Sequence, residues 1–247
     1  MLIFKGDDLL VLSDRFDLER PQDCVRSSEE LPASWRELPP WCEIDESHPF
    51  PEGEWLGLRT VWQRWGDEAF ARVGGAYQYM NWVRNTQFCS RCAAPLTPRG
   101  EDRGLECASC GRVHYPQIHP AIIVAVEKEG KLLLGHNARM PGGRYSVLAG
   151  FVEPGESLEQ TVAREIMEEA NVDVQDIRYF GSQSWPFPHS LMLGFTARWR
   201  SGEARADGVE LDHVGWFAPA DFPEIPQSIS ISRKLIDDFV DRMRKKK

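Results

Sequence analysis

The chain has 247 residues, a mass of 28.2 kDa and a formal charge of −9, with 42% hydrophobic and 27% charged residues. These proportions are those of an ordinary globular chain and exclude a disordered, collagenous or disulfide-dense protein. No apolar run approaches the ~20 residues a membrane helix needs, and the first dozen residues lack the basic start and cleavage site of a leader. A cytoplasmic protein without a membrane partner is therefore expected.

The charge is uneven: residues 1–85 carry 9 Lys/Arg against 16 Asp/Glu, residues 86–118 carry 4 against 3, and residues 119–247 carry 16 against 19. An acidic balance argues against sequence-blind nucleic-acid binding, which needs clustered cations. The basic cluster Arg242–Lys247 is expected to close a C-terminal helix, where cations favour the dipole.

In chain order, Leu2-Ile3-Phe4 and Leu9-Leu10-Val11-Leu12 predict a hairpin about Gly6-Asp7-Asp8. A second turn is expected at Pro51-Glu52-Gly53-Glu54, ahead of Trp55-Leu56-Gly57-Leu58. From Ala69 to Arg84, Phe70, Val73, Ala76, Tyr77, Met80 and Val83 recur at three- and four-residue steps, which predicts an amphipathic helix. Nothing in residues 1–85 names a reaction.

The next segment does carry chemistry. Cys89-Ser90-Arg91-Cys92 and Cys107-Ala108-Ser109-Cys110 are two Cys-x-x-Cys knuckles, a pattern close to that of four-thiolate zinc sites. Four thiolates close a tetrahedral Zn²⁺ shell and leave no position for water, so the metal would be structural. Disulfides and a thioredoxin-type redox pair are the competing readings; paired knuckles in a cytosolic-type chain fit them less well. His114 and His119 are spare ligands in principle, and Cys24 and Cys42 are expected to be ordinary thiols. Arg91, Arg99, Arg103 and Arg112 are nearly cancelled by Glu101, Asp102 and Glu106, so the ribbon is expected to be a scaffold rather than a nucleic-acid reader.

From Ala121 the pattern turns to strands, Ile122–Val126 and Lys131–Leu134, around Glu129-Gly130. Val147–Glu156 follows, and then a helix over Ser157–Ala170 with Ser157 as N-cap and Gln160 completing a capping box. On that helix Glu165, Glu168 and Glu169 fall within an arc of roughly 100°. Val162, Ala163, Ile166, Met167 and Ala170 are expected to pack on the sheet. A solvated acidic stripe is the ordinary meaning of such a run. Behind a glycine-rich turn containing Glu156, however, hard oxygen ligands suit Mg²⁺ or Mn²⁺, cations that polarise phosphates and activate water.

Gly150, Glu156, Arg164-Glu165-Ile166, Glu168-Glu169 and Asn171-Val172, at their spacing, resemble the Nudix box. Asn171 stands where the box has its late glycine; Asn tolerates a left-handed helix end, so the turn is expected to survive. Downstream, Ser182-Gln183-Ser184-Trp185-Pro186-Phe187-Pro188-His189-Ser190 resembles the SQPWPFPxS element of the NADH pyrophosphatase branch, with Ser184 in place of its first proline. Adjacent His189 and Ser190 make no nucleophilic triad, because no acid partner is evident.

The resemblance implies a Nudix α/β/α sandwich with a mixed sheet over 119–247, preceded by a zinc ribbon over 86–118 and a small α+β domain over 1–85. It implies a homodimer that hydrolyses the diphosphate of NAD(H) to nicotinamide mononucleotide and AMP with Mg²⁺ or Mn²⁺, with Zn²⁺ structural in the ribbon. Removal of a 5′ NAD cap from RNA by the same chemistry is the alternative, and a nucleotide-sensing ribbon protein is a rival of another class. Implied metal ligands are the Ala149 carbonyl, Glu165, Glu169 and Glu210, with Glu168 a further ligand or a base. Phe151 and Trp185 would stack the nicotinamide. Tyr115, Ile123, Gln183, Ser190, Met192 and Ser232, together with Ser184, Pro186, Phe187, Pro188 and His189 of the loop, would complete the substrate wall.

Overall fold

A computed structural model describes residues 1–12, 15–19, 24–32, 39–45, 53–137 and 143–245. The chain divides into two compact units, Met1–Ile118 with Ser184–His189, and His119–Gln183 with Ser190–Lys247.

In the first unit, β1 (Leu2–Lys5) and β2 (Asp8–Val11) form the expected antiparallel hairpin. With β3 (Cys24–Ser27), β4 (Trp41–Ile44) and β5 (Glu54–Leu56) they make a five-stranded sheet ordered β3-β4-β1-β2-β5, in which only β1 and β4 run parallel. The turn expected at Pro51-Glu52 lies outside the described residues. Helix α1 (Leu58–Asn85) begins eleven residues before the sequence pattern, and Gly66 breaks it with φ 78° and ψ −164°. That backbone is open to glycine and strained for other residues. The amphipathic stretch after the break buries Phe70, Val73, Ala76, Tyr77 and Met80. Strands β6 (Leu96–Pro98), β7 (Leu105–Cys107) and β8 (Val113–His114) form the three-stranded antiparallel ribbon.

The second unit is built on β9 (His119–Lys128), which meets β10 (Lys131–His136) across a tight turn with Glu129 at φ 48° and Gly130 at φ 77°. Two consecutive positive φ values are the mark of a type I′ hairpin. Strands β11 (Tyr145–Ser146), β12 (Leu148–Phe151), β13 (Asp173–Trp185), β14 (Ser190–Ser201) and β15 (His213–Phe217) complete a seven-stranded mixed sheet. Its main path is β11-β10-β9-β14-β13, with β12 paired to β9 and β15 to β10; β9 and β14 are parallel.

Side chains of β9 alternate between two cores, as the two-residue period of a strand requires. Ile122, Val124 and Val126 pack with Val162, Ile166 and Ala170 of α2 (Leu158–Ala170). Ile123 and Ala125 pack with Leu235, Ile236 and Phe239 of α3 (Ile231–Arg244). The expected α/β/α sandwich follows directly from this double use of one strand. Ala163 and Met167 depart from expectation: both are exposed, Met167 by 44%. The buried stripe of α2 runs instead through Thr161, Val162, Ile166, Glu169 and Ala170, so a glutamate occupies the place given to methionine.

Candidate metal and diphosphate site

The four cysteines of the ribbon converge. Their Sγ atoms all lie within 4.8 Å of one another, with Cys89 and Cys110 at 3.6 Å and Cys92 and Cys107 at 3.5 Å. Four sulfurs each about 2.3 Å from a tetrahedral Zn²⁺ would stand about 3.8 Å apart, so the set fits zinc. All four are free thiols, and hydrogen bonds led by that from His114 pull the Cys89 thiol down to about 5. Cys110 moves the other way: against the Arg112 backbone hydrogen bond, burial and the three other cysteines push its thiol up to about 11, and a cation bound by the set would favour the ionised form of all four.

In the second unit the acidic site starts from the cap of α2. The Ser157 hydroxyl accepts from the Gln160 amide at 3.3 Å and the Gln160 side chain accepts from the Ser157 amide at 2.7 Å, the expected capping box. At the other end Asn171 takes the left-handed conformation, φ 54° and ψ 37°, as the box substitution predicted. Its side chain also donates to the Glu203 carbonyl at 3.1 Å.

Between these caps Arg164 organises the carboxylates. It donates to both oxygens of Glu156 at 2.6 and 3.0 Å, to Glu165 at 2.9 Å, to Glu168 at 3.1 Å and to the Phe151 carbonyl at 2.9 Å. The guanidinium holds the Glu156 carboxyl down to about 2, helped by the Thr161 hydroxyl and against the effect of desolvation. Glu156 is thus an anchor for the loop. Gly150 leaves room for the Glu165 carboxylate: a Cβ there would lie 1.9 Å from Glu165 Cδ.

Glu169 is the buried member, 6% exposed. Desolvation first, then the charges of Glu165, Glu210, Asp207 and Glu168, push its carboxyl up to about 8. Burial also raises Glu165, with Arg164 opposing it. A buried carboxyl surrounded by four others is a place where a cation relieves the field, and the all-oxygen donor set suits a hard divalent ion. Among the described residues only the four cysteines gather three or more ligand atoms within 4.8 Å. The carboxylates are near neighbours electrostatically without forming a closed shell.

Sequence reasoning missed Asp207. Its carboxylate accepts from the amides of Val209, Glu210 and Leu211 at 3.2, 3.1 and 2.9 Å, and so holds the turn that carries Glu210. These amides hold the Asp207 carboxyl below the ordinary range. The signal was present as Asp207-Gly208, an Asx-turn signature.

The sheet register lines up part of the expected substrate wall. Phe151, Ala121 and Met192 lie side by side across β12, β9 and β14, and Ala149, Ile123 and Gly194 form a second such row. Ala149, Ile123 and Met192 belong to the core beneath α3. Phe151 is 56% exposed and edge-on to His119 at 6.3 Å. Ser190 pairs with His119, and Ser232 on α3 shares a 2.7 Å hydrogen bond with Ser146. The Gln183 amide is occupied: it donates to the Ile229 carbonyl at 2.8 Å and accepts from the Ile231 amide at 2.7 Å, which ties β13 to the start of α3. Tyr115 and the Ser184–His189 loop belong to the first unit. The Tyr115 hydroxyl donates to Asp102 at 2.9 Å.

A sandwich with an acidic helix seated against a glycine, joined to a four-thiolate ribbon, defines a protein with one structural metal module and one carboxylate module suited to phosphates. Known proteins agree. Residues 117–239 match the NUDIX domain and residues 84–115 the NADH pyrophosphatase zinc ribbon domain. The NAD-capped RNA hydrolase NudC of Stutzerimonas stutzeri is 42% identical over 200 residues, 81% of this chain and 72% of the relative. That of Pseudomonas aeruginosa is 38% identical over 240 residues, 97% and 86% of the two chains. The crystal structure of a NUDIX hydrolase from Nitrosomonas europaea matches with a TM-score of 0.55 at 29% identity, covering 64% of this chain and 93% of that one. The chain belongs to the Nudix hydrolases, in the branch that carries the NADH pyrophosphatase zinc ribbon.

Proposed function

We propose that the protein hydrolyses the diphosphate of NAD(H) to nicotinamide mononucleotide and AMP, and that the same site removes the NAD cap from RNA. The observation that carries this reading is the buried Glu169, 6% exposed and grouped with Glu165, Glu168, Glu210 and Asp207, in a chain that also carries this ribbon. The names of its relatives support the RNA-linked substrate.

Glu165, Glu168, Glu169, Glu210 and the Ala149 carbonyl would hold Mg²⁺ or Mn²⁺. Such a cation neutralises charge on the diphosphate and lowers the pKa of the attacking water. Arg164 keeps Glu165 and Glu168 in place on one side of α2. Gly150 keeps the approach to Glu165 clear. Water forms a new bond to one phosphorus as the bridging P–O bond breaks, so each product leaves with one phosphate and a proton is released. Phe151 presents its exposed ring for stacking, and the Trp185 loop is read as the element that recognises the nicotinamide.

We also read residues 1–85, 86–118 and 119–247 as three modules in a cytoplasmic homodimer. Six free thiols suit a reducing compartment, and no helix among the described residues is long and apolar enough to cross a membrane. β13 closes one side of its sheet with Tyr179 and Phe180 exposed, an edge a second copy would cover.

Hydrolysis of NADH in ¹⁸O-water with added Mg²⁺ or Mn²⁺ tests the reaction. Equimolar AMP and reduced nicotinamide mononucleotide, with one of them labelled, is the expected result; absence of AMP release would refute it. Competition between NADH and NAD-capped RNA at several salt concentrations ranks the two substrates.

A further inference from the structure

The chain leaves β13 at Trp185 and re-enters the sheet at Ser190, yet Ser184–His189 group with the first unit. There they pack on α1. The Trp185 ring is edge-on to Phe70 with centroids 6.1 Å apart, and Phe187 stacks on Phe70 at 6.3 Å. The Arg59 guanidinium covers the Phe187 ring at 4.2 Å. Pro186 is buried against Gly74, where a Cβ would lie 2.8 Å from Pro186 Cγ. The Ser184 hydroxyl donates to Gln78 Oε1 at 3.0 Å.

Phe70, Gly74 and Gln78 follow one another at four-residue steps, so they form a single row on α1. Each element of the row answers one feature of the loop: an aromatic ring, a gap for a proline and an acceptor for a hydroxyl. Ser184 lacks the pyrrolidine ring that would fix its φ, and its hydrogen bond to Gln78 supplies a tie in compensation.

We propose that α1 is a substrate-specificity element, with Phe70, Gly74 and Gln78 as positioning residues that hold the Trp185 loop ready for the nicotinamide ring. This gives the acidic N-terminal region a part in choosing the substrate. The proposal rests on the reading that Trp185 meets the nicotinamide.

The test compares NADH with ADP-ribose, which keeps the diphosphate and lacks the nicotinamide. Gln78→Ala should raise KM for NADH about threefold, and Gln78→Glu, which keeps an acceptor for the Ser184 hydroxyl, should hold it near wild type. Gly74→Ala should raise it about tenfold, because its Cβ would lie 2.8 Å from Pro186 Cγ and the buried proline must move off the helix. In all of them kcat for NADH should change less than about twofold and kcat/KM for ADP-ribose should hold.

Trp185→Ala is the control. If it raises KM for NADH selectively while the α1 variants leave the ratio of the two substrates untouched, the role of α1 is overturned and the reading of the loop stands. If Trp185→Ala itself leaves that ratio unchanged, the reading of the loop falls and the proposal with it. A parallel loss on both substrates with a falling Tm shows a purely structural contact and also overturns the proposal.

Discussion

The ribbon and the acidic helix both gather side chains that repel one another when ionised, and they hold them in different ways. In the ribbon, short turns bring four thiols to the spacing zinc needs. At α2 and the loop before it the carboxylates are kept apart and partly neutralised: Arg164 pairs with Glu156 of the loop and with Glu165 and Glu168 of the helix, and burial pushes the Glu169 carboxyl up to about 8. The first arrangement suits a metal bound once and kept. The second suits a cation that arrives and leaves with substrate, because the protein supplies its own counter-charges between visits.

The largest effect should come from Glu169→Gln, which keeps the shape and removes the charge. Turnover is expected to fall about 100- to 10,000-fold with bound zinc unchanged. A near wild-type rate with unaltered metal demand would remove Glu169 from the site. Cys107→Ser is the converse perturbation: zinc should be lost and the ribbon should open, as seen by metal analysis and proteolysis, because three thiolates no longer close the shell. Brief EDTA treatment should stop hydrolysis reversibly while zinc stays bound.

A smaller loss is expected from Gly150→Ala. Its Cβ would overlap the Glu165 carboxylate, so that side chain must turn away, with an activity loss of about 10- to 100-fold. Steady-state NADH hydrolysis by this variant, with zinc content and Tm unchanged, is the check.

The pH dependence separates the two modules further. With no divalent ion, Glu169 holds its proton up to about 8, so a metal must displace it. Affinity for Mg²⁺ should rise about tenfold per pH unit between 6 and 8 and level off above. The stability sign follows. A carboxyl raised in the folded state stabilises below its ordinary value of 4.5, and this contribution is lost as pH rises toward 8. Metal-free protein should therefore lose Tm across that window, and Glu169→Gln should flatten the slope. The smallest effect belongs to Asn171→Gly, which restores the box glycine. Relief of the left-handed backbone opposes loss of the bond to Glu203, so thermal melts should show a change below about 1 kcal/mol.

Local signals explain what was legible in the sequence. The capping box, the left-handed Asn171, the Glu129-Gly130 hairpin and the cysteine knuckles are set by near neighbours, and each stands where the residues put it. Features that depend on distant segments were hidden. Periodicity alone could not tell that Glu169 is inside and Met167 outside, because both lie on the margin of the apolar stripe and the choice depends on what faces them. Nor could it show that Pro186 of a β13–β14 loop would rest on Gly74, more than a hundred residues earlier. The break at Gly66 hid the first turns of α1, since the residues on either side do not share one helical phase.

The alternation of β9 carries a consequence for how this family can vary. Even-numbered residues from Ile122 to Val126 face α2, and odd-numbered ones face α3. Inserting or deleting one residue within the strand would exchange the two sets, burying each helix against side chains shaped for the other. Substitutions that preserve volume are open to this strand, and changes of length are not. Lengthening is confined to its ends and to the connections between strands, so drift in loop length can retune substrate choice while the acidic helix keeps its seat.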